Sequence, residues 1–151
     1  VVLLYLARKY VDYALLRLRG TPGDEAVGER PEPGAPSRGW IEIMDEPYDF
    51  PVDSPLFIAQ HPKGAPLKLA IDTNAVIGLN ENKTRVKYRT NTDPGSSGSP
   101  VFDQNWNLVA LHHSGDPESI MPTYNEGIPF SAILTLLKSR GLEGVLRGHD
   151  L

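Results

Sequence analysis

The chain of 151 residues carries a formal charge of −4, with 15 basic against 19 acidic side chains, and it holds 14 glycines and 14 prolines. That composition suits one loop-rich globular domain, and the scattered basic residues form no electrostatic footprint for nucleic acid or an anionic membrane. Cysteine is absent, which excludes disulfides and zinc-thiolate sites and permits a reducing compartment; the opening VVLLYL falls far short of the ~20 apolar residues of a membrane span and lacks the cleavage region of a signal peptide.

Residues 12–18, DYALLRL, set an acid, Asp12, immediately ahead of a short apolar strand. By itself such an aspartate reads as an ordinary solvated group at a strand's start. Residues 20–39 are dense in glycine, proline and charge without apolar periodicity, which predicts a linker and a domain boundary. Residues 40–43 alternate as a short strand, 47–55 form a proline-rich turn region, and 56–60 read as the next strand, closed by a turn at His61-Pro62-Lys63-Gly64. Strands follow at 67–71, 74–79 and 84–90, with a polar hairpin at 80–83. Their even spacing predicts an antiparallel barrel.

The most informative stretch is residues 88–115, YRTNTDPGSSGSPVFDQNWNLVALHHSG. A Gly-Ser-Ser-Gly-Ser-Pro loop joins two strand-like runs, and Ser97 has a glycine within two residues on each side. An attacking hydroxyl must protrude from a tight turn while N–H groups converge on the oxygen that becomes negative. Gly95 and Gly98 permit positive φ and close approach of a substrate, and the N–H groups of Gly95 and Ser97 are the natural oxyanion donors. Alone, a Gly/Ser run is also what a flexible surface turn looks like. Here it runs into Pro100-Val101-Phe102, a turn at 103–107, and an apolar strand at 108–111 that carries His112 and His113. Beyond lie an irregular loop at 116–125 and a last short strand at 127–130. Ser131 can cap a helix whose Ile133, Leu134, Leu136 and Leu137 share a face and which Gly141 stops, leaving a tail at 142–151.

GSSGSPVF resembles the G-x-S-G-[GS]-P nucleophile motif of the chymotrypsin-like serine peptidases, nearest to the bacterial glutamyl endopeptidases and the trypsin-like peptidase domains of bacterial multidomain proteins. The likeness covers nearly the whole chain. It implies a mainly β protein of chymotrypsin-like antiparallel Greek-key barrels with a C-terminal α-helix. The second barrel, 40–130, is nearly complete and the first largely missing, represented by residues 1–19; 20–39 is the crossing between them. The resemblance makes Ser97 the nucleophile. D-x-A-L-L-x-L stands where the family places its catalytic aspartate, so Asp12 would hold the tautomer of a histidine and stabilise the imidazolium.

That histidine precedes the aspartate in chymotrypsin-like order, and none of the eleven residues before Asp12 is one. The base is therefore expected upstream, and the isolated chain is expected to be inactive. His61 reads as a turn histidine, and His149 as a solvated tail residue. His112 matches a histidine with which glutamyl endopeptidases bind an acidic side chain, and Thr92 matches their threonine; together they could pair a substrate carboxylate. Asn91 stands on the pocket floor where an enzyme cutting after lysine or arginine carries aspartate. Two departures qualify the match. Ser96 precedes the nucleophile in place of aspartate, so activation by a new N-terminal amine cannot operate. His113 and Ser114 replace the usual Ser-Trp or Trp-Gly pair on the pocket wall.

The expected function is serine endopeptidase action through an acyl-enzyme, with a possible preference for an acidic residue before the scissile bond. The alternative is a non-catalytic peptidase-like module that binds peptides or partner domains. Expected partners are a protein or peptide substrate and the N-terminal part of the same domain, with no metal or organic cofactor. The likeness of QHPxG, PGSSGSPVF and ALHHSG to bacterial cytosolic domains suggests a cytoplasmic location, with secretion the alternative.

Overall fold

A computed structural model describes residues 2–7, 11–116, 123–142 and 144–147. Among the described residues nine strands and one α-helix follow in chain order: β1 (Val2–Ala7), β2 (Tyr13–Arg17), β3 (Leu56–Gln60), β4 (Lys68–Asp72), β5 (Val76–Leu79), β6 (Val86–Tyr88), β7 (Pro100–Phe102), β8 (Leu108–Gly115), β9 (Asn125–Pro129) and α1 (Phe130–Lys138). β1 and β2 form a two-stranded antiparallel ribbon, and the others a seven-stranded sheet in the order β4-β3-β7-β8-β9-β6-β5. All its pairings are antiparallel. The non-sequential neighbours β3 with β7 and β6 with β9 give it Greek-key character.

The two edge strands, β4 and β5, are separated by only residues 73–75, so the sheet must curl to bring its ends together. Arg89 locks that corner: its backbone N–H donates to the Ala75 carbonyl at 2.9 Å, and its guanidinium donates to the Asn74 carbonyl at 3.0 Å and to Asp53 at 3.1 Å. The result is a mainly β, half-closed antiparallel barrel with one C-terminal helix.

Period-two alternation decides what fills it. On β3, Leu56, Ile58 and Gln60 point inward and are buried while Phe57 and Ala59 face outward. Leu56 and Ile58 meet Val76, Val86, Tyr88, Val101, Val109 and Ala110 in the barrel core. A second apolar cluster joins the ribbon to the sheet: Val11, Tyr13 and Leu15 pack with Ile128 of β9 and with Ile133 and Leu137 of α1. Burying each of those two helix side chains is worth roughly 1.5–3 kcal/mol. Through this cluster β2, and Asp12 just before it, is held against the barrel.

Several expectations are corrected. Residues 40–43 form no strand: among the described residues no strand pairs with them, Trp40 and Ile41 are exposed, and the Trp40 indole lies over Gly23 where a side chain would collide with it. Residues 2–7, whose apolar run carried no strand expectation, pair with β2. β8 is longer than its apolar stretch and includes both His112 and His113. α1 begins one residue early, and Ser131 does not cap it; Pro129 occupies the cap position without a side-chain bond. Proline suits that place because its missing N–H is one the first helical turn leaves unpaired anyway. Gly141 lies at φ 67 just past the helix, as a C-terminal stop requires. Residues 117–122 of the irregular loop, and His149, lie outside the described residues.

Candidate active site

The loop from Asn91 to Ser99 is fixed on one side by β3 and the turn after it, where the Lys63 N–H donates to the Pro94 carbonyl at 2.8 Å, and on the other by β8. Gln60, buried at the end of β3, donates from Nε2 to the Asn91 carbonyl at 3.1 Å and accepts the Ser96 hydroxyl at 2.6 Å. Ser96, itself buried, thus anchors the loop immediately before Ser97. On the other side the Gly98 N–H donates to the His112 carbonyl at 2.7 Å and the His112 N–H to the Ser99 carbonyl at 2.8 Å, stitching the loop to β8. Gly95 and Gly98 sit at φ 96 and 85, a region costly for other residues. At Gly95 a Cβ would also stand 3.3 Å from the Lys63 nitrogen.

That scaffold leaves Ser97 exposed at the turn's tip, its hydroxyl donating to the His113 carbonyl at 2.8 Å. Among the described residues the N–H groups of Gly95 and Ser97 have no backbone partner, whereas those of Ser96, Gly98 and Ser99 do. Asp12 is half-exposed, and its Oδ2 lies 3.7 Å from Nδ1 of His113. Pairing of β8 with β9 slips between His112 and Ser114, leaving His113 as the extra residue of a bulge; bulges of this kind re-aim side chains. Consequently His113 touches Asp12 with its ring and Ser97 with its carbonyl.

His112 faces the other way, into the barrel. Its Nδ1 is 2.6 Å from the Tyr88 hydroxyl, and that hydroxyl donates to the Glu126 carbonyl at 3.2 Å. With the tyrosine proton so committed, Nδ1 carries the proton of the pair and Nε2 is left as an acceptor. Burial, reinforced by the neighbouring His113, lowers the pKa of His112 to about 4, and burial raises that of Tyr88. Thr92 spends its hydroxyl on Oδ1 of Asn125 at 3.0 Å, and the same side chain holds the Thr90 carbonyl at 2.8 Å. Ser114 is half-buried opposite Glu126, and Asn91 is exposed. The structure therefore brings Asp12, Ser97 and His113 together, with Asn91, Thr92, His112 and Ser114 on the adjoining loop and strand. His61 sits on the turn beside the serine loop, its carbonyl 3.7 Å from where a side chain at Gly95 would begin, with its ring Nδ1 3.1 Å from the Ala65 carbonyl.

Sequence reading missed Gln60 and His113 as site residues. Gln60 gave a signal in its position, a polar residue on the inward face of a strand. His113 gave none, because only the bulge aims it at Asp12. A cavity of about 540 Å³ lies between residues 44–48, Leu108 and α1, at the far end of β8 from these residues, and contains none of them. Among the described residues no group of three or more His, Cys, Asp or Glu could hold a metal ion, and no helix is long and apolar enough to cross a membrane.

A half-closed Greek-key barrel that presents a serine on a clamped glycine turn, with a terminal helix behind it, defines the chymotrypsin-like class. A family model described as trypsin-like peptidase domain matches residues 1–111, and the chain belongs to that family. A mouse (Mus musculus) relative, serine protease FAM111A, is 49% identical over 47 residues, which is 31% of this chain and 7% of that protein. Two crystal structures of the Mycobacterium tuberculosis H37Rv protein Rv3671c, both inactive forms and one carrying a serine-to-alanine substitution, superpose with TM-scores of 0.50 and 0.51 at 13% and 14% identity. Each superposition covers 72% of this chain, but only 56% and 57% of the respective partner structure. The chain thus spans little more than half of those neighbours and a small part of the mouse relative.

Proposed function

We propose that this chain is the nucleophile-bearing part of a serine endopeptidase. Ser97 attacks the scissile carbonyl, a histidine upstream of Asp12 takes its proton, and Asp12 orients that imidazole. The N–H groups of Gly95 and Ser97 receive the developing oxyanion. The same histidine then protonates the leaving amine, and water repeats the sequence to release the acyl group from Ser97. The observation that carries this reading is the clamped turn, with its exposed Ser97 hydroxyl beside two N–H groups that their neighbours' bonds leave unspent.

The Ser97 proton rests on a carbonyl and not on an imidazole, which supports a base supplied from elsewhere. It equally favours a second reading, a peptide-binding module whose cleft no longer cuts. Intact mass after exposure to a fluorophosphonate probe separates them. No adduct on this chain, with an adduct at Ser97 once upstream sequence is restored and none in Ser97→Ala, is the expected result. Failure of the extended chain to react would move the assignment to the binding module.

An acidic preference would rest on Thr92 and His112. Both already hold internal partners, and His112 stays neutral until the pH nears its lowered value of about 4, where a substrate glutamate also begins to lose its charge. As placed, His112 offers only the acceptor Nε2 and Thr92 has given its proton to Asn125, so a carboxylate meets no donor on either side chain without rearrangement. Discrimination between glutamate and glutamine before the scissile bond is expected to stay below about tenfold in kcat/KM. A ratio of hundreds would mean that His112 rearranges to meet a carboxylate.

A further inference from the structure

The outer face of β4 is apolar and open. Leu67 is 65% exposed, Leu69 46% and Ile71 60%, while the alternate residue Ala70 leans on the barrel core. The apolar surface continues across the sheet: Phe57 of β3 pairs with Ile71 on one side and Phe102 of β7 on the other. Trp106, 56% exposed, packs its ring 5.3 Å from that of Phe57 and 5.6 Å from that of Phe102. β4 is also a sheet edge, bonded to β3 alone. The other edge is covered where β5 begins, because Asp53 and Ser54 bond to Val76 and Ala75. No such cover lies along Lys68–Asp72 among the described residues.

A flat apolar edge pairs readily with another strand unless charge forbids it. The sequence of β4 is Lys-Leu-Ala-Ile-Asp, which is complementary to itself when reversed. In an antiparallel pair of two copies centred on Ala70, Lys68 of each faces Asp72 of the other, and Leu69 faces Ile71. Both charge pairs and both apolar pairs form in that register alone. Parallel pairing in register stacks Lys68 on Lys68 and Asp72 on Asp72. A slip of one residue sends every side chain to the wrong face, and a slip of two toward the N-terminus sets Asp72 opposite Pro66, which has no N–H to give.

We propose that this chain associates with a second copy of itself through antiparallel pairing of β4, centred on Ala70. Each copy uses the same edge in the same register, so the contact is isologous and closes as a dimer without growing into a fibre. The outer faces then form one apolar strip of Leu69 and Ile71 from both copies, flanked by Phe57.

Sedimentation velocity from micromolar to millimolar chain is the direct test, together with single cysteines placed in a chain that has none of its own. A reversible dimer is expected, weakened about tenfold by Lys68→Glu and abolished by Leu69→Lys/Ile71→Lys, whose exposed positions leave the fold measurable by circular dichroism. Residues facing each other across an antiparallel pair lie about 4.5–5.5 Å apart at Cα, within disulfide range. Ala70→Cys is therefore expected to cross-link to its copy on mild oxidation, and Leu69→Cys to do so poorly. A chain that stays monomeric throughout, a dimer indifferent to Leu69→Lys/Ile71→Lys, or cross-linking through Leu69→Cys in preference to Ala70→Cys would each overturn the proposal.

Discussion

At the scale of single residues, the site is governed by two buried polar side chains that do no chemistry. Gln60 spends both ends of its amide on the serine loop, so its loss frees Asn91 and Ser96 together. Gln60→Leu keeps the volume but leaves the buried Ser96 hydroxyl without a partner, at a cost of about 1–3 kcal/mol. In an upstream-extended chain it should also slow fluorophosphonate labelling of Ser97 well beyond what the stability loss explains; labelling at the wild-type rate in a folded Gln60→Leu protein would show that the loop needs no such clamp. His112 sets a pH dependence. Its folded pKa of about 4 lies below the unfolded value near 6.5, so as pH falls between those limits the unfolded chain takes up a proton that the folded chain refuses. Stability is full above the unfolded pKa and is lost toward pH 4, by up to about 3 kcal/mol. Urea midpoints at pH 7.5 and 4.5 should diverge in wild type and converge in His112→Asn, apart from a constant offset. The tight turn that exposes Ser97 between Gly95 and Gly98 was legible in the sequence because a turn motif is local. The partners of His112 were not, since Tyr88 lies two strands away across β9.

Among the elements, α1 has the largest reach. Its apolar face was legible from the spacing of Ile133, Leu134, Leu136 and Leu137, but spacing cannot say what the face covers. It covers β2 as well as the barrel, with Ile133 and Leu137 against Val11, Tyr13 and Leu15. The helix therefore governs where Asp12 sits, although it contributes nothing to the site itself. Leu137→Ala should cost about 2–4 kcal/mol in urea unfolding. It should also lower Ser97 labelling in an upstream-extended chain at temperatures where the barrel remains folded, because Asp12 would lose its register; unchanged labelling would mean that β2 is held by other contacts. The opposite kind of failure occurred at residues 40–43, where alternation predicted a strand. Alternation states only that two faces differ, and a strand also needs a neighbour to bond with, which none of the described residues supplies there.

The whole molecule consists of two sheets of very unequal support. The seven-stranded sheet shares one continuous core and closes its corner through Arg89, whereas β1 and β2 are a two-stranded ribbon, a form that is marginal without packing on something else. This asymmetry was only half legible: the barrel's strand spacing repeats along the chain, while the ribbon depends on an apolar N-terminal run that carries no turn signal. It matters because the proposed nucleophile rides on the robust sheet and Asp12 on the ribbon, which the helix-side cluster holds, while at the site itself the two meet in a half-exposed contact between Asp12 and His113 that is worth about 1 kcal/mol at most. Local opening of the ribbon should therefore separate Asp12 from Ser97 well before the barrel unfolds. Hydrogen exchange should find the β2 amides at least about tenfold less protected than those at the centre of β3, β8 and β9. Anything that completes the ribbon's sheet should raise β2 protection toward the barrel's and raise Ser97 labelling with it. Equal protection in the chain alone would mean that the helix-side cluster suffices to hold Asp12 in place, and that whatever limits the reactivity of Ser97 is the base alone.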